Sequence, residues 1–336
     1  METINLGFEA GAYLAEPLDT WLTAGLRDYA VPEAAGSSAR VFRLKNWALA
    51  GARQKDAAFK VMRHDKIGYA SPLFLQEINI LAAMQGKAGF TRLLKMGYFK
   101  PEVNVRWPGE IAPLTKSLEL EASGTQIRGQ AVSYEVDEAD GMLTEYEQRL
   151  VAGWLPYLIL EHRWEDNLYL LCDAGYTRGG FHKNLTMQQV LQIAIQICDL
   201  LAYAHHKGAL YLDHKLLHYY WNDLRQQVIM IDWNIGRWNP DSISLESQQF
   251  DLLQFSSRAL HHIFTGRQAP GSVAVGPNRP EEIENSPRHY KASYPYDVQK
   301  RLNLEEMGFL EQALDGVFTS AESMSEALNQ LLKKRL

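Results

Sequence analysis

The sequence predicts an α+β chain: a strand-rich first part built around one main helix, then a mainly helical second part. Three observations carry that expectation. Arg40–Leu44 and Ala57–Met62 are short strand-like runs on either side of the polar turn Gly51–Asp56 and read as strands joined by a hairpin. Met187–His205 sets apolar residues at Val190, Leu191, Ile193, Ala194, Ile197, Leu200 and Leu201, the stripe of a helix packed on a core. Beyond Glu161, short strand-like runs give way to long amphipathic ones. The length of 336 residues suits two domains or lobes.

Taken in order, residues 1–33 mix apolar and acidic positions without a clean period and read as an N-terminal extension. The first lobe is expected over 34–161. Its strands begin near Val41, and Ser71-Pro72 is expected to open a helix with Phe74, Ile78 and Leu81 at helical spacing and Glu77 between them. Strands are expected around Arg92–Phe99 and Leu155–Glu161. The stretch between them, 101–153, is far longer than an ordinary connection and reads as an inserted hairpin or subdomain. Within it Gln130–Val136 alternates and Asp140-Gly141 reads as a turn. The second lobe is expected over 162–336, with the Met187–His205 helix stopped at Lys207-Gly208. Gln248–Thr265 and Leu304–Leu332 are two further helical regions, separated by the Pro/Gly-rich Ala269–Pro280.

Composition narrows the function. The formal charge of −6 offers no general attraction to nucleic acid or to an anionic membrane, and no dense Lys/Arg block reverses that. Cys172 and Cys198 are the sole cysteines, which excludes a disulfide framework and suits a reducing cytoplasm. The N-terminus lacks a charged-then-apolar leader pattern, and no stretch approaches the roughly 18 apolar residues of a spanning helix. A cytoplasmic, soluble protein is expected.

The chemistry concentrates in two short segments. Asp213-His214-Lys215 falls on a loop, and a hairpin's length later an apolar strand ends in Ile231-Asp232-Trp233-Asn234. Phosphoryl-transfer sites use such a set: a loop carboxylate to orient a hydroxyl, a nearby lysine to offset phosphate charge, and a strand-terminal carboxylate to hold a metal. Competing chemistries lack their residues. Gly271–Gly276 is followed by Pro277-Asn278, without the lysine and hydroxyl of a P-loop. His205-His206 and His261-His262 are adjacent pairs that diverge on a helix, and neither H-E-x-x-H nor G-x-S-x-G occurs.

These segments, in this order, resemble the eukaryotic-like protein kinases of the bacterial Hanks type over most of residues 34–332. Ala57-Ala58-Phe59-Lys60 resembles the V-A-I-K strand, and Glu77 sits where the family's helix glutamate holds that lysine. Tyr211–His218 falls on H-R-D-x-K-x-x-N and Asp232-Trp233-Asn234 on D-F-G. Asp251 matches the aspartate that anchors the catalytic loop, and Phe318–Met324 matches a tail motif. The resemblance implies a bilobal protein-kinase-like fold that binds ATP with Mg²⁺ or Mn²⁺ in the interlobe cleft and transfers the γ-phosphate to a Ser/Thr hydroxyl of a protein. It implies Asp213 and Lys215 as catalytic residues and Asp232 and His218 as metal ligands. Lys60, Glu77, Gly36, Val41, Ala58, Glu161, His162 and Tyr220 would surround the nucleotide.

The departures are specific. Only Gly36, the middle glycine of the phosphate loop, is kept. His218 replaces a metal-binding asparagine, and nitrogen suits Mg²⁺ poorly. Tyr220 stands where a small aliphatic residue usually floors the adenine pocket, and Leu212 replaces an arginine that receives a loop phosphate. The Asp232–Asp251 span is short and lacks an A-P-E triplet, while Val317 stands in place of that glutamate's arginine partner. Two readings stay open: an atypical phosphotransferase, or a pseudokinase acting as a scaffold or regulatory partner with or without nucleotide.

Overall fold

The structure, a computed structural model, describes residues 16–17, 38–47, 55–63, 66–101, 129–163, 165–173, 185–241, 243–274 and 290–336. The fold is mixed α+β. The described residues fall into two compact units: one runs to Ala82 and resumes over Arg92–His162, and the other comprises Ala83–Thr91 and Arg163–Leu336.

In the first unit the described strands are β1 (Glu16–Pro17), β2 (Ala39–Trp47), β3 (Lys55–Met62), β4 (Leu93–Pro101), β5 (Gly129–Tyr134) and β6 (Leu155–Glu161). They form an antiparallel sheet ordered β1-β2-β3-β6-β4-β5. Strand β6 lies inside the sheet and is buried from Leu155 to Leu160, so its near-continuous apolar run is what a strand covered on both faces requires. Phe59 packs against Tyr157 at 5.3 Å and against Phe99 at 6.1 Å between ring centroids. These aromatic contacts join β3, β6 and β4 into one core.

Helix α1 runs over Ile67–Ala83, so it opens a turn before Ser71-Pro72 and Pro72 lies inside it. Proline's fixed φ suits the helix, and the bond it cannot donate, to the carbonyl four residues back, falls near the helix start where carbonyl pairing has only begun. The expected N-terminal proline signal is therefore displaced by one turn. Within the 101–153 stretch, β5 does not stand apart: it pairs with β4, Tyr98 opposite Val132, and extends the sheet. Asp140-Gly141 is not a turn. It lies in α2 (Ala139–Thr144), where Asp140 occupies the first turn and favours the unpaired amide end. Helix α3 (Tyr146–Val151) follows, and the Tyr146 hydroxyl donates to the Ser71 carbonyl of α1 at 2.8 Å.

The second unit opens with β7 (Asp166–Asn167) and α4 (Leu168–Cys172), followed by α5 (Met187–His206) and β8 (Ala209–Leu210). Strands β9 (Tyr219–Asn222), β10 (Gln227–Met230) and β11 (Arg237–Trp238) follow. They pair in two small antiparallel sheets, β10-β9-β7 and β11-β8. Helix α6 (Leu245–Gln254) continues through a π-helical segment, Phe255–Leu260, into α7 (His261–Thr265). Helices α8 (Tyr296–Gln299), α9 (Leu304–Leu314) and α10 (Ala321–Arg335) complete it. The helical run expected over Leu304–Leu332 is thus two helices, parted where Gly316 takes φ 69° and Ser320 caps α10. Of the Pro/Gly-rich linker, 275–280 lies outside the described residues.

Helix α5 is the buried centre of this unit. Thr186 caps its start through the Gln189 amide, and Ser325 of α10 donates to Asp199 at 2.6 Å. Its stop behaves as expected: Gly208 takes φ 80°, and a Cβ there would press into the Asn239 carbonyl. Gly208→Ala combines a left-handed penalty with a backbone clash, so a loss of about 2–4 kcal/mol is expected in urea unfolding. A change within experimental error would show that the turn after α5 repacks freely.

Candidate functional site

In the first unit, β2, β3 and β6 set a row of side chains on one face. Val41 and Leu158 lie directly across from Lys60, and two residues along β3 comes Ala58, opposite Leu160. Cross-strand partners and alternate residues share a face, so Val41, Ala58 and Lys60 stand on the same side of the sheet. Lys60 is 4 % exposed and Glu77 is fully buried, and the ammonium donates to Glu77 Oε1 at 2.8 Å. Glu77 reaches it because α1 turns its Phe74–Ile78–Leu81 face into the core and Glu77 lies on that face. Glu161 closes β6 with its amide bonded to the Arg92 carbonyl at 2.9 Å, and His162 follows it, both half-buried. Gly36 lies outside the described residues.

In the second unit, Asp251 of α6 organises the loop after β8. Its carboxylate is fully buried and accepts four N–H bonds: Tyr211 N at 3.0 Å and His205 Nε2 at 2.8 Å on Oδ2, Leu212 N at 2.7 Å and His214 Nε2 at 2.8 Å on Oδ1. A carboxylate can only accept, so both imidazoles are protonated at Nε2. His214 Nδ1 is hydrogen-bonded to the Tyr219 hydroxyl at 2.6 Å. Burial pushes the Asp251 carboxyl upward, but the His214 charge, hydrogen bonds from His205 and His214, and the His205 charge override it and hold the carboxyl far below the usual range. The clamp also holds Leu212 at φ 64°, a conformation that costs an L-residue about 1–2 kcal/mol.

That twist turns Asp213 inward. Its carboxylate is 2 % exposed, with Oδ2 accepting from Lys215 Nζ at 2.9 Å. His218 ends a short 3₁₀ turn, Leu216–His218, and its Nδ1 donates to the Asp213 carbonyl at 3.2 Å while Nε2 lies 3.5 Å from Asp232 Oδ2. Burial lowers the His218 pKa, and the charges of Asp213 and Asp232 act against that. Asp232 itself takes φ 58°. The structure thus gathers Asp213, Lys215, His218 and Asp232 within one unit, and Trp233 packs on Tyr211 with centroids 4.6 Å apart. Tyr220 is half-buried on β9 opposite Asn167 and Ile229, and burial raises its phenol pKa.

Three partners escaped the sequence reading. Arg258, buried in the π-helical segment, sets Nη1 3.7 Å from Asp213 Oδ1. Burial lowers its pKa and the Asp213 charge raises it. An arginine inside the helical stretch Gln248–Thr265 was the available signal, because such a residue is seldom buried without an acid. His205 and His214 were the others, and only the fold brings their rings to Asp251. The histidine pair on α7 divides its work: His261 Nδ1 bonds the Arg267 carbonyl at 2.8 Å and His262 Nε2 meets Asp173 at 2.9 Å. Among the described residues, no three His, Cys, Asp or Glu side chains are gathered to hold a metal by themselves. None of their helices is long and apolar enough to cross a membrane.

Compared with protein-family models and with curated proteins, the chain gives no significant match.

Proposed function

We propose that the chain is an atypical protein-kinase-like phosphotransferase with the bilobal kinase-like fold. The observation that carries this reading is the buried Lys60–Glu77 pair. A buried ion pair is seldom the most stable use of a core position, so a lysine held there by a glutamate reads as a cation kept for a ligand. In this reading Lys60 faces the α- and β-phosphates of ATP, under Val41 and Ala58. Asp232 and His218 would hold Mg²⁺ or Mn²⁺, whose charge neutralises the phosphates when bound. Their donor set, one carboxylate and one imidazole, suits Mn²⁺ better than Mg²⁺, with phosphate oxygens available to complete the shell. Asp213 orients the acceptor hydroxyl of a protein Ser/Thr and takes up its proton as the oxygen bonds to the γ-phosphorus and the bond from that phosphorus to the β,γ-bridging oxygen breaks, with ADP as the leaving group. Lys215 offsets charge on the transferred group.

One observation favours the second reading, a pseudokinase scaffold. Asp213 is almost fully buried, with one oxygen bonded to Lys215 and the other directed at Arg258, which leaves little room for a hydroxyl. Two measurements separate the readings. ATP with Mg²⁺ or Mn²⁺ is expected to raise Tm, and Lys60→Met or Asp232→Asn to abolish the rise; no rise with either metal would remove nucleotide from the account. Labelled γ-phosphate is expected on the protein or on a generic acceptor, with Asp213→Ala reducing transfer by about 10²-fold or more. Equal transfer by wild type and Asp213→Ala would leave the scaffold.

A further inference from the structure

Resting on that reading, the arrangement around His218 bears on which ion the second unit accepts. The Asp213 main-chain carbonyl is only an acceptor, so its 3.2 Å contact with His218 Nδ1 places the ring proton on Nδ1. Asp213 Oδ2, 3.7 Å from the same nitrogen, enforces the same tautomer. In the neutral ring Nε2 therefore presents a lone pair, and Asp232 Oδ2 lies 3.5 Å from it. A dication placed between the two would be held by both donors. Donors about 2.1 Å from one ion, at octahedral to tetrahedral angles, stand about 3.0–3.4 Å apart. The observed spacing is close to that range.

The main chain keeps the two donors together. The Ile231 amide donates to the His218 carbonyl at 3.0 Å, which ties the residue before Asp232 to the histidine, and Asp232 at φ 58° holds the turn that follows. A metal-binding imidazole whose second nitrogen is anchored to a carbonyl has its orientation and tautomer set in advance. Mg²⁺ favours an all-oxygen shell, whereas imidazole suits transition ions, which gain affinity along the Mn²⁺, Co²⁺, Ni²⁺ series. We propose that His218 Nε2 and Asp232 form a mixed nitrogen–oxygen half-site that selects a first-row transition-metal dication over Mg²⁺, with nucleotide phosphate oxygens or water completing the shell.

The test uses the full chain with a non-hydrolysable ATP analogue. Pulsed electron paramagnetic resonance of bound Mn²⁺ is expected to show a directly coordinated nitrogen, and its pattern to change when histidine alone carries ¹⁵N. That comparison needs no substitution, so it stands even if a variant folds poorly. In calorimetric titration His218→Asn is expected to weaken Co²⁺ binding roughly ten-fold or more while leaving Mg²⁺ within a few-fold. If Mn²⁺ binds and is lost in Asp232→Asn, yet shows no histidine nitrogen, the half-site is overturned and the phosphotransferase reading survives. If Mn²⁺, Co²⁺ and Mg²⁺ all fail to bind, both are overturned.

Discussion

Asp251→Asn is expected to destabilise the second unit by about 3–5 kcal/mol. The carboxylate receives two N–H donors on each oxygen, and an amide of the same shape offers one accepting oxygen and one NH₂ group. Whichever way it turns, two donors meet a donor. The loss reaches the candidate site directly, because Leu212 at φ 64° and the inward turn of Asp213 depend on those bonds. The pH dependence has a definite sign. The folded carboxyl is depressed below its unfolded value of about 3.9, so its contribution is complete above that pH and fades as pH falls toward the folded value. Urea unfolding from about pH 5 down to pH 2 is therefore expected to show wild type losing stability below about pH 4 and Asp251→Asn losing less over the same range. Parallel curves would mean that the clamp bears little of the fold.

The second large effect is at the sheet–helix ion pair. Lys60→Met or Glu77→Leu alone leaves the opposite charge buried without its partner at 2.8 Å, and each is expected to cost about 3–5 kcal/mol. The double variant Lys60→Met/Glu77→Leu replaces both charges by apolar groups in a site already walled by core residues, and is expected to recover most of that loss. Stability and ligand binding then part company. Recovered stability without a nucleotide-induced Tm rise would identify a pair kept for a ligand. A double variant as unstable as the singles would make the pair a structural requirement and remove the main support for the phosphotransferase reading.

The two carboxylate segments, the lysine strand and the glutamate helix were legible because each is local: a short, largely apolar run after a polar turn marks β3, helical spacing marks α1, and Gly208 marks the end of α5. Boundaries were less so. Pro72 and Asp140-Gly141 are signals of a helix start and a turn in isolation, yet both lie within helices. Intrinsic preference for a turn or start is worth only about 1 kcal/mol or less per residue, and packing of the surrounding apolar face exceeds it.

By itself the sequence determined where strands yield to helices, which residues carry charge into apolar surroundings, and the order in which they occur. Only the tertiary structure decided their partners. Asp251 lies roughly forty residues from the amides it holds, and Arg258 is similarly remote from Asp213, so no periodicity connects them. The His218 tautomer likewise follows from a carbonyl that the 3₁₀ turn brings beneath its ring. Such choices arise because a buried polar group must be satisfied by whatever the fold places next to it, and contact across the chain is a property of packing rather than of local sequence.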